Sequence, residues 1–292
     1  MSSSDVLQRF LFEHAPVRGV SVRLEATWQA VLARHDYPPP VRQLLGELMA
    51  AVALLSATLK FEGRLVAQLQ GHGPVTLLVV EATSGRTLRA IAHWNAEPED
   101  YDLPALLGDG RLVITVEPEN GGERYQGIVE LAGDSVAETM SNYLMQSEQL
   151  GTHVWLAADE EQAAGLLIQK LPGDEVVADA DLYNRVVHLT ETVTTPELLG
   201  LSAESLIKRL YHEEDVRLFD SEPVCFRCTC SRGRVADMLR SLGSDEVHAI
   251  LLEQDQVEVA CEFCNQKYRF DAVDVEQLFA ADVSPGTPTS FH

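Results

Sequence analysis

Apolar positions recur at helical spacing in VRQLLGELMAAVALLSATLK (41–60), where Val41, Leu44, Leu45, Leu48, Val52, Leu55 and Leu59 form one stripe of a long core helix. The YPPP that precedes it (37–40) sets its start, because proline is tolerated only in a helix's first turn. The period then changes. RLVAQLQ (64–70) alternates Leu65, Ala67 and Leu69, VTLLVVE (75–81) is a β-branched run, and TLRAIAH (87–93) alternates again. RLVITVEP (111–118) and RYQGIVEL (124–131) continue the strand pattern, with glycine-containing turns between them. SVAETMSNYLMQSEQL (135–150) reads as an amphipathic helix, and THVWLAA and AAGLLIQKLP as two more strands. This pattern predicts an α+β fold whose N-terminal domain, 1–172, mixes helix and sheet.

From 173 to 224 the pattern becomes short and helical. DADLYNRVVHLTETV and ESLIKRLYHEED flank TTPELLGLS, in which Thr195 and Ser202 have the residue type and position of N-caps. Twelve acidic residues face four basic ones over 171–224. Short helices with that much self-repulsion barely form unless they pack on something. A helical connector is the simpler reading, and a segment built to unfold on cue is the alternative. The last stretch, 225–292, carries helical patterns at 235–242, stopped by Gly243, at 245–253, capped by Ser244, and at 274–282. QVEVACEFCNQKYRF between the last two is strand-like. A unit this small needs a staple beyond its apolar core.

Charge narrows the partners. The 292 residues hold 22 Lys and Arg against 45 Asp and Glu, a formal net charge of −23. That balance repels phosphate backbones, so no nucleic-acid partner is expected. No stretch of about 20 uninterrupted apolar residues is present, and the opening MSSSDVLQRFLFEH is too polar for a secretory leader. The expectation is a cytoplasmic protein without membrane association, in a compartment that keeps thiols reduced or metal-bound.

All five cysteines lie within forty residues: Cys225, Cys228 and Cys230 in CFRCTCSRGR, and Cys261 and Cys264 in CEFC. Two short-range cysteine groups in one small unit are the pattern of a four-thiolate zinc site. Spacing alone favours Cys225 and Cys228, a C-x2-C pair that matches Cys261 and Cys264 and leaves Cys230 over. The competing choice is the C-x-C pair Cys228 and Cys230. Two cysteines at i and i+2 can also form a strained disulfide, and strained disulfides are the labile, regulatory ones.

The sequence FRCTCSRGRVADML followed by CEFCNQKYRF resembles the zinc domain of the redox-regulated heat-shock protein 33 family. The resemblance runs through nearly the whole chain, in RFLFEHAPVRG, HDYPPPVRQLLGEL, LLSATLKFEGRLVAQLQGHGPV, GERYQGIVEL, MQSEQL and RLYHEEDV. It implies a core domain at 1–172, a redox-sensitive acidic linker at 173–224, and a zinc-binding redox-switch domain at 225–292. It implies four zinc ligands, Cys228, Cys230, Cys261 and Cys264, holding one Zn2+ per reduced chain. Oxidation would join Cys228 to Cys230 and Cys261 to Cys264. The oxidised chain would then dimerise and hold unfolding client proteins without ATP, as a chaperone and not an enzyme. Cys225 lies outside the family motif.

Three other readings fit the sequence less well. A zinc-ribbon module for nucleic acid would need a basic face, yet acidic residues outnumber basic ones over 225–292. A protein-interaction ribbon is the milder form of that reading. A dithiol oxidoreductase using Cys261 and Cys264 would place its CxxC at a helix start in a βαβ unit. A zinc enzyme would keep an open metal position, and four cysteines close the site. His248 falls on an expected helix, where a packing or surface role is expected, and Tyr211, His212 and Glu213 belong to the linker-like sequence.

Overall fold

The computed structural model describes residues 5–98, 101–147, 149–172, 179 and 181–280, and its chain divides into two compact units between Arg227 and Cys228. In chain order the first unit opens with strands β1 (Val6–Phe12) and β2 (Val17–Leu24) and helices α1 (Ala26–Leu32) and α2 (Pro39–Thr58). Strands β3 (Gly63–Gln70), β4 (Val75–Thr83) and β5 (Thr87–Trp94), helix α3 (Leu103–Leu107) and strands β6 (Arg111–Pro118) and β7 (Tyr125–Glu130) follow. Helix α4 (Val136–Ser147) precedes strands β8 (Thr152–Ala158) and β9 (Ala163–Lys170), completing an α+β unit.

Helix α2 is the centre of this unit. Pro38 stands just outside it in an extended conformation, and proline fills its first turn, where no backbone N–H is needed. Of residues 44–56 only Glu47 escapes full burial. A helix this apolar on all sides must be covered on all sides. One sheet, in the order β2-β9-β8, packs along it, and a second, of β3, β4 and β5, packs on its other flank. Among the described residues α2 is the one helix long and apolar enough to cross a membrane, and 72% of that window is buried in this core. Asp5 fixes the start of α1: its carboxylate accepts hydrogen bonds from the backbone N–H groups of Glu25, Ala26 and Thr27.

The expected acidic linker forms α5 (Leu182–Thr190), α6 (Thr195–Gly200), α7 (Ala203–Tyr211) and three short strands, β10 (Val216–Leu218), β11 (Glu222–Pro223) and β12 (Cys225–Phe226). Residues 173–178, just after the expected boundary at 172, lie outside the described residues. The three helices cover the outer face of the first sheet. Leu182, Val186, Leu198, Leu206, Leu210 and Tyr211 pack against Phe10, Phe12, Leu166 and Ile168. Tyr211 meets Phe12 edge to face at 5.1 Å and shares a 2.5 Å hydrogen bond with the Thr190 hydroxyl. β10 and β11 pair with β1, while β12 runs parallel to β5 at the edge of the second sheet. Ser202 caps α7 as expected. The cap of α6 is Thr194, not Thr195, because Glu197 reaches back three residues to the Thr194 N–H in a capping box.

The second unit begins at Cys228 and folds as α8 (Arg232–Leu242), α9 (Ser244–Gln254), the hairpin β13 (Val257–Ala260) and β14 (Lys267–Phe270), and α10 (Ala272–Ala280). Its core comprises Val235, Leu239, Val247, Val257, Phe270, Val275 and Leu278. The residue before α9 is Gly243 rather than Ser244. Its φ of 104° is open to glycine, so Ser244 enters the first turn.

Candidate metal centre

Two loops of the second unit carry the sulfurs. In the first, Ser231 caps α8 by accepting from the Arg234 N–H at 3.2 Å, which ends the extended run that holds Cys228 and Cys230. The Arg234 side chain donates to the Thr229 hydroxyl at 2.8 Å, pinning the residue between the two cysteines. The second loop is the turn of the β13–β14 hairpin. Cys261 N–H donates to the Gln266 carbonyl at 2.9 Å, and Asn265 N–H donates to the Cys261 carbonyl at 2.7 Å. Asn265 sits at φ 57°, a left-handed conformation that asparagine tolerates well. The turn therefore presents Cys261 and Cys264 together.

The four Sγ atoms of Cys228, Cys230, Cys261 and Cys264 all lie within 4.8 Å of one another. Cys228 and Cys261 approach to 3.6 Å, and Cys230 and Cys264 to 3.4 Å. A tetrahedral zinc thiolate with bonds near 2.3 Å has sulfur–sulfur edges of about 3.8 Å, so the donors stand at the right spacing. Burial pushes the thiols of Cys261 and Cys264 up, and the neighbouring sulfurs of Cys230, Cys228 and Cys261 add to the rise at Cys264. Four thiolates cannot share this space without a counter-charge, and a central dication reverses the balance. Soft donors in a complete set of four suit Zn2+ and leave no open position.

Cys225 is elsewhere. It is exposed on β12, its N–H donating to the Arg86 carbonyl at 3.2 Å, and belongs to the first unit. His248 also stays out of the cluster. Its Nδ1 contacts the Ser244 carbonyl at 2.7 Å and its Nε2 contacts Glu276 at 3.1 Å, joining α9 to α10. The Ser244 carbonyl and Glu276 together raise its pKa. Tyr268 escapes a reading by cysteine spacing. Its hydroxyl donates to the Cys230 sulfur at 3.1 Å. Strand alternation is the signal that finds it, because Tyr268 and the buried Phe270 share one face of β14.

The two-unit α+β chain thus carries, in its second unit, four thiols at the spacing of a metal-thiolate centre. The family model described as "Hsp33 protein" matches residues 5–271. The 33 kDa chaperonin of Methylobacillus flagellatus is 52% identical over 288 residues, covering 98% of each chain. That of Nitrosococcus oceani is 48% identical over 292 residues, covering 100% of each. The crystal structure of the 33 kDa chaperonin from Thermotoga maritima superposes with a TM-score of 0.80, covering 95% of this chain and 99% of the other, at 20% identity, and shares the fold. The chain belongs to the Hsp33 family.

Proposed function

We propose that this chain is a redox-regulated, ATP-independent holdase that, once oxidised, keeps unfolding proteins from aggregating. The observation that carries the reading is the cluster of Cys228, Cys230, Cys261 and Cys264 in so small a unit of an Hsp33-family chain. Bound there, one Zn2+ per chain supplies the charge that keeps the four sulfurs as thiolates and cross-links the two loops. Thiolates are the form that oxidants attack.

In each pair, two thiolates lose two electrons to a peroxide, whose O–O bond breaks to give two hydroxides that take protons from the buffer to become water. Hypochlorous acid does the same and leaves as chloride and hydroxide. When both pairs are spent, no thiolate remains to hold the loops together. The proposed disulfides, Cys228–Cys230 and Cys261–Cys264, join sequence neighbours, although the shortest sulfur contacts cross between the loops. Loop closure supports the local pairs once the unit loosens, by about 2 kcal/mol for a tenfold shorter loop.

Residues 173–224 act as the redox-sensitive linker in this reading. Release of α5–α7 bares Phe10, Phe12 and Ile168 and the apolar sides of the helices themselves, while their acidic residues keep the exposed surface soluble. The oxidised chain dimerises and holds unfolded clients, and no bond in a client is made or broken. The reducing cytoplasm is where the resting thiolate form persists. Zinc release, followed alongside light scattering from a thermally unfolding client, tests the reading. Oxidation by peroxide with mild heat is expected to release one zinc and switch on suppression of scattering. Equal suppression by reduced and oxidised protein would falsify it.

A further inference from the structure

We propose that Tyr268 makes oxidation of Cys230 conditional on loss of the second unit's folded structure, by donating its hydroxyl hydrogen to that sulfur while β14 is in place. This rests on the redox-switch reading above and narrows its control to one side chain. The backbone donors to the other loop's sulfurs are local. Cys261 draws on the backbone N–H groups of Phe263 and Cys264, and Cys264 on that of Gln266, all within the same turn. Cys230 instead takes its hydrogen bond from a side chain 38 residues away. Tyr268 is held there by its pairing with Val259 and by Phe270, which anchors β14 in the core.

A hydrogen bond to a thiolate draws charge from the lone pair that attacks the oxidant, so the sulfur is a slower nucleophile. In the step concerned, Cys230 sulfur attacks one oxygen of a peroxide and the O–O bond breaks. The products are a sulfenic acid and hydroxide, which takes a proton from the buffer to leave as water. A second thiol then displaces the sulfenic hydroxyl as water and closes the disulfide. When the hairpin opens, the donor to Cys230 departs with β14, while a donor inside the Cys261–Gln266 turn stays near its sulfur.

The test uses the reduced, metal-loaded full-length chain and Tyr268→Phe. Both are exposed to limiting hydrogen peroxide, below and at the onset of unfolding of the second unit. Isotope-labelled maleimide quenching and mass spectrometry give a rate for each cysteine, and metal content is measured in parallel. Below unfolding, Cys230 in Tyr268→Phe is expected to react about fivefold faster, the rate equivalent of one ordinary hydrogen bond, with Cys261 and Cys264 within about twofold of wild type. In wild type, warming is expected to speed Cys230 more than Cys261. A Cys230 rate unchanged in the metal-loaded variant overturns the proposal. So does a general acceleration of all four sulfurs with loss of metal, which makes the hydroxyl merely structural. Parallel warming curves for Cys230 and Cys261 in wild type overturn it without any variant. Reduced wild type without stoichiometric metal would instead defeat the zinc-switch reading, and the Cys230-to-Cys261 rate ratio would still report on the hydrogen bond.

Discussion

In the first unit, α2 is enclosed by two sheets, and the larger of two apolar clusters runs from Leu7 through Leu54 to Val224. Among its described residues, the second unit gathers seven buried apolar residues and adds four sulfurs. Area removed from water stabilises the first unit in many small increments, each independent of redox conditions. Coordination would stabilise the second in a single increment that vanishes when its sulfurs change oxidation state. Under the proposed function, the contrast would let one chain combine a durable body with a part that responds abruptly to its chemical surroundings.

Removing the metal separates the two units most sharply. Chelation under reducing conditions is expected to withdraw on the order of 10 kcal/mol of folding free energy from the second unit. In hydrogen exchange, the amides of α8–α10 lose protection while those of α2 keep it. Cys264→Ser is expected to do the same, and Cys225→Ser to retain one zinc. Loss of zinc from Cys225→Ser would restore the C-x2-C pairing that spacing alone favours.

Leu48→Ala is the converse experiment, aimed at a side chain with no exposed surface on α2. It is expected to lower the urea stability of the first unit by about 2–5 kcal/mol while zinc content stays the same. Coupled loss of zinc would show that the two stabilities are not separable.

The smallest effect concerns Glu47, the one residue of α2's central stretch that is not fully buried. Burial raises its carboxyl pKa, and a hydrogen bond from Gln43 opposes that only in part. The folded chain therefore holds this proton more tightly than the unfolded chain does. The stability it contributes is complete below the ordinary carboxylate range and declines as pH rises through the raised folded value. Glu47→Gln is expected to unfold at higher urea than wild type at neutral pH and to match it near pH ~4. A variant less stable at neutral pH would mean the carboxylate is favourably held.

The sequence pattern locates α2, strands β3 to β9 and α4 because each carries a helical, alternating or continuous apolar signal. β1 and β2 are harder to see. β1 turns Leu7 toward the α2 core and Phe10 and Phe12 toward the α5–α7 cover, so both faces are apolar and the alternation blurs. α1 and α3, at seven and five residues, are too short for periodicity to register. Thr195 and Ser244 each miss a cap by one residue, since backbone angles rather than residue type decide it. At the cysteines, spacing cannot tell that β12 pairs Cys225 with Thr87, a contact between distant parts of the chain. The family resemblance carries the choice of Cys228 and Cys230, whose sulfurs the structure gathers with those of Cys261 and Cys264.

The pairing of β1 with β10 also bears on how the protein is made. Glu13, just past the end of that ladder, is ion-paired with Arg217 within it, and the two are 204 residues apart. At roughly 5–20 residues per second, the ribosome needs about 10–40 s to supply the second after the first. Through that interval β1 has no outer neighbour and offers a bare strand to any nascent chain nearby. During its own synthesis, a protein proposed to protect others therefore passes through a period of the same exposure.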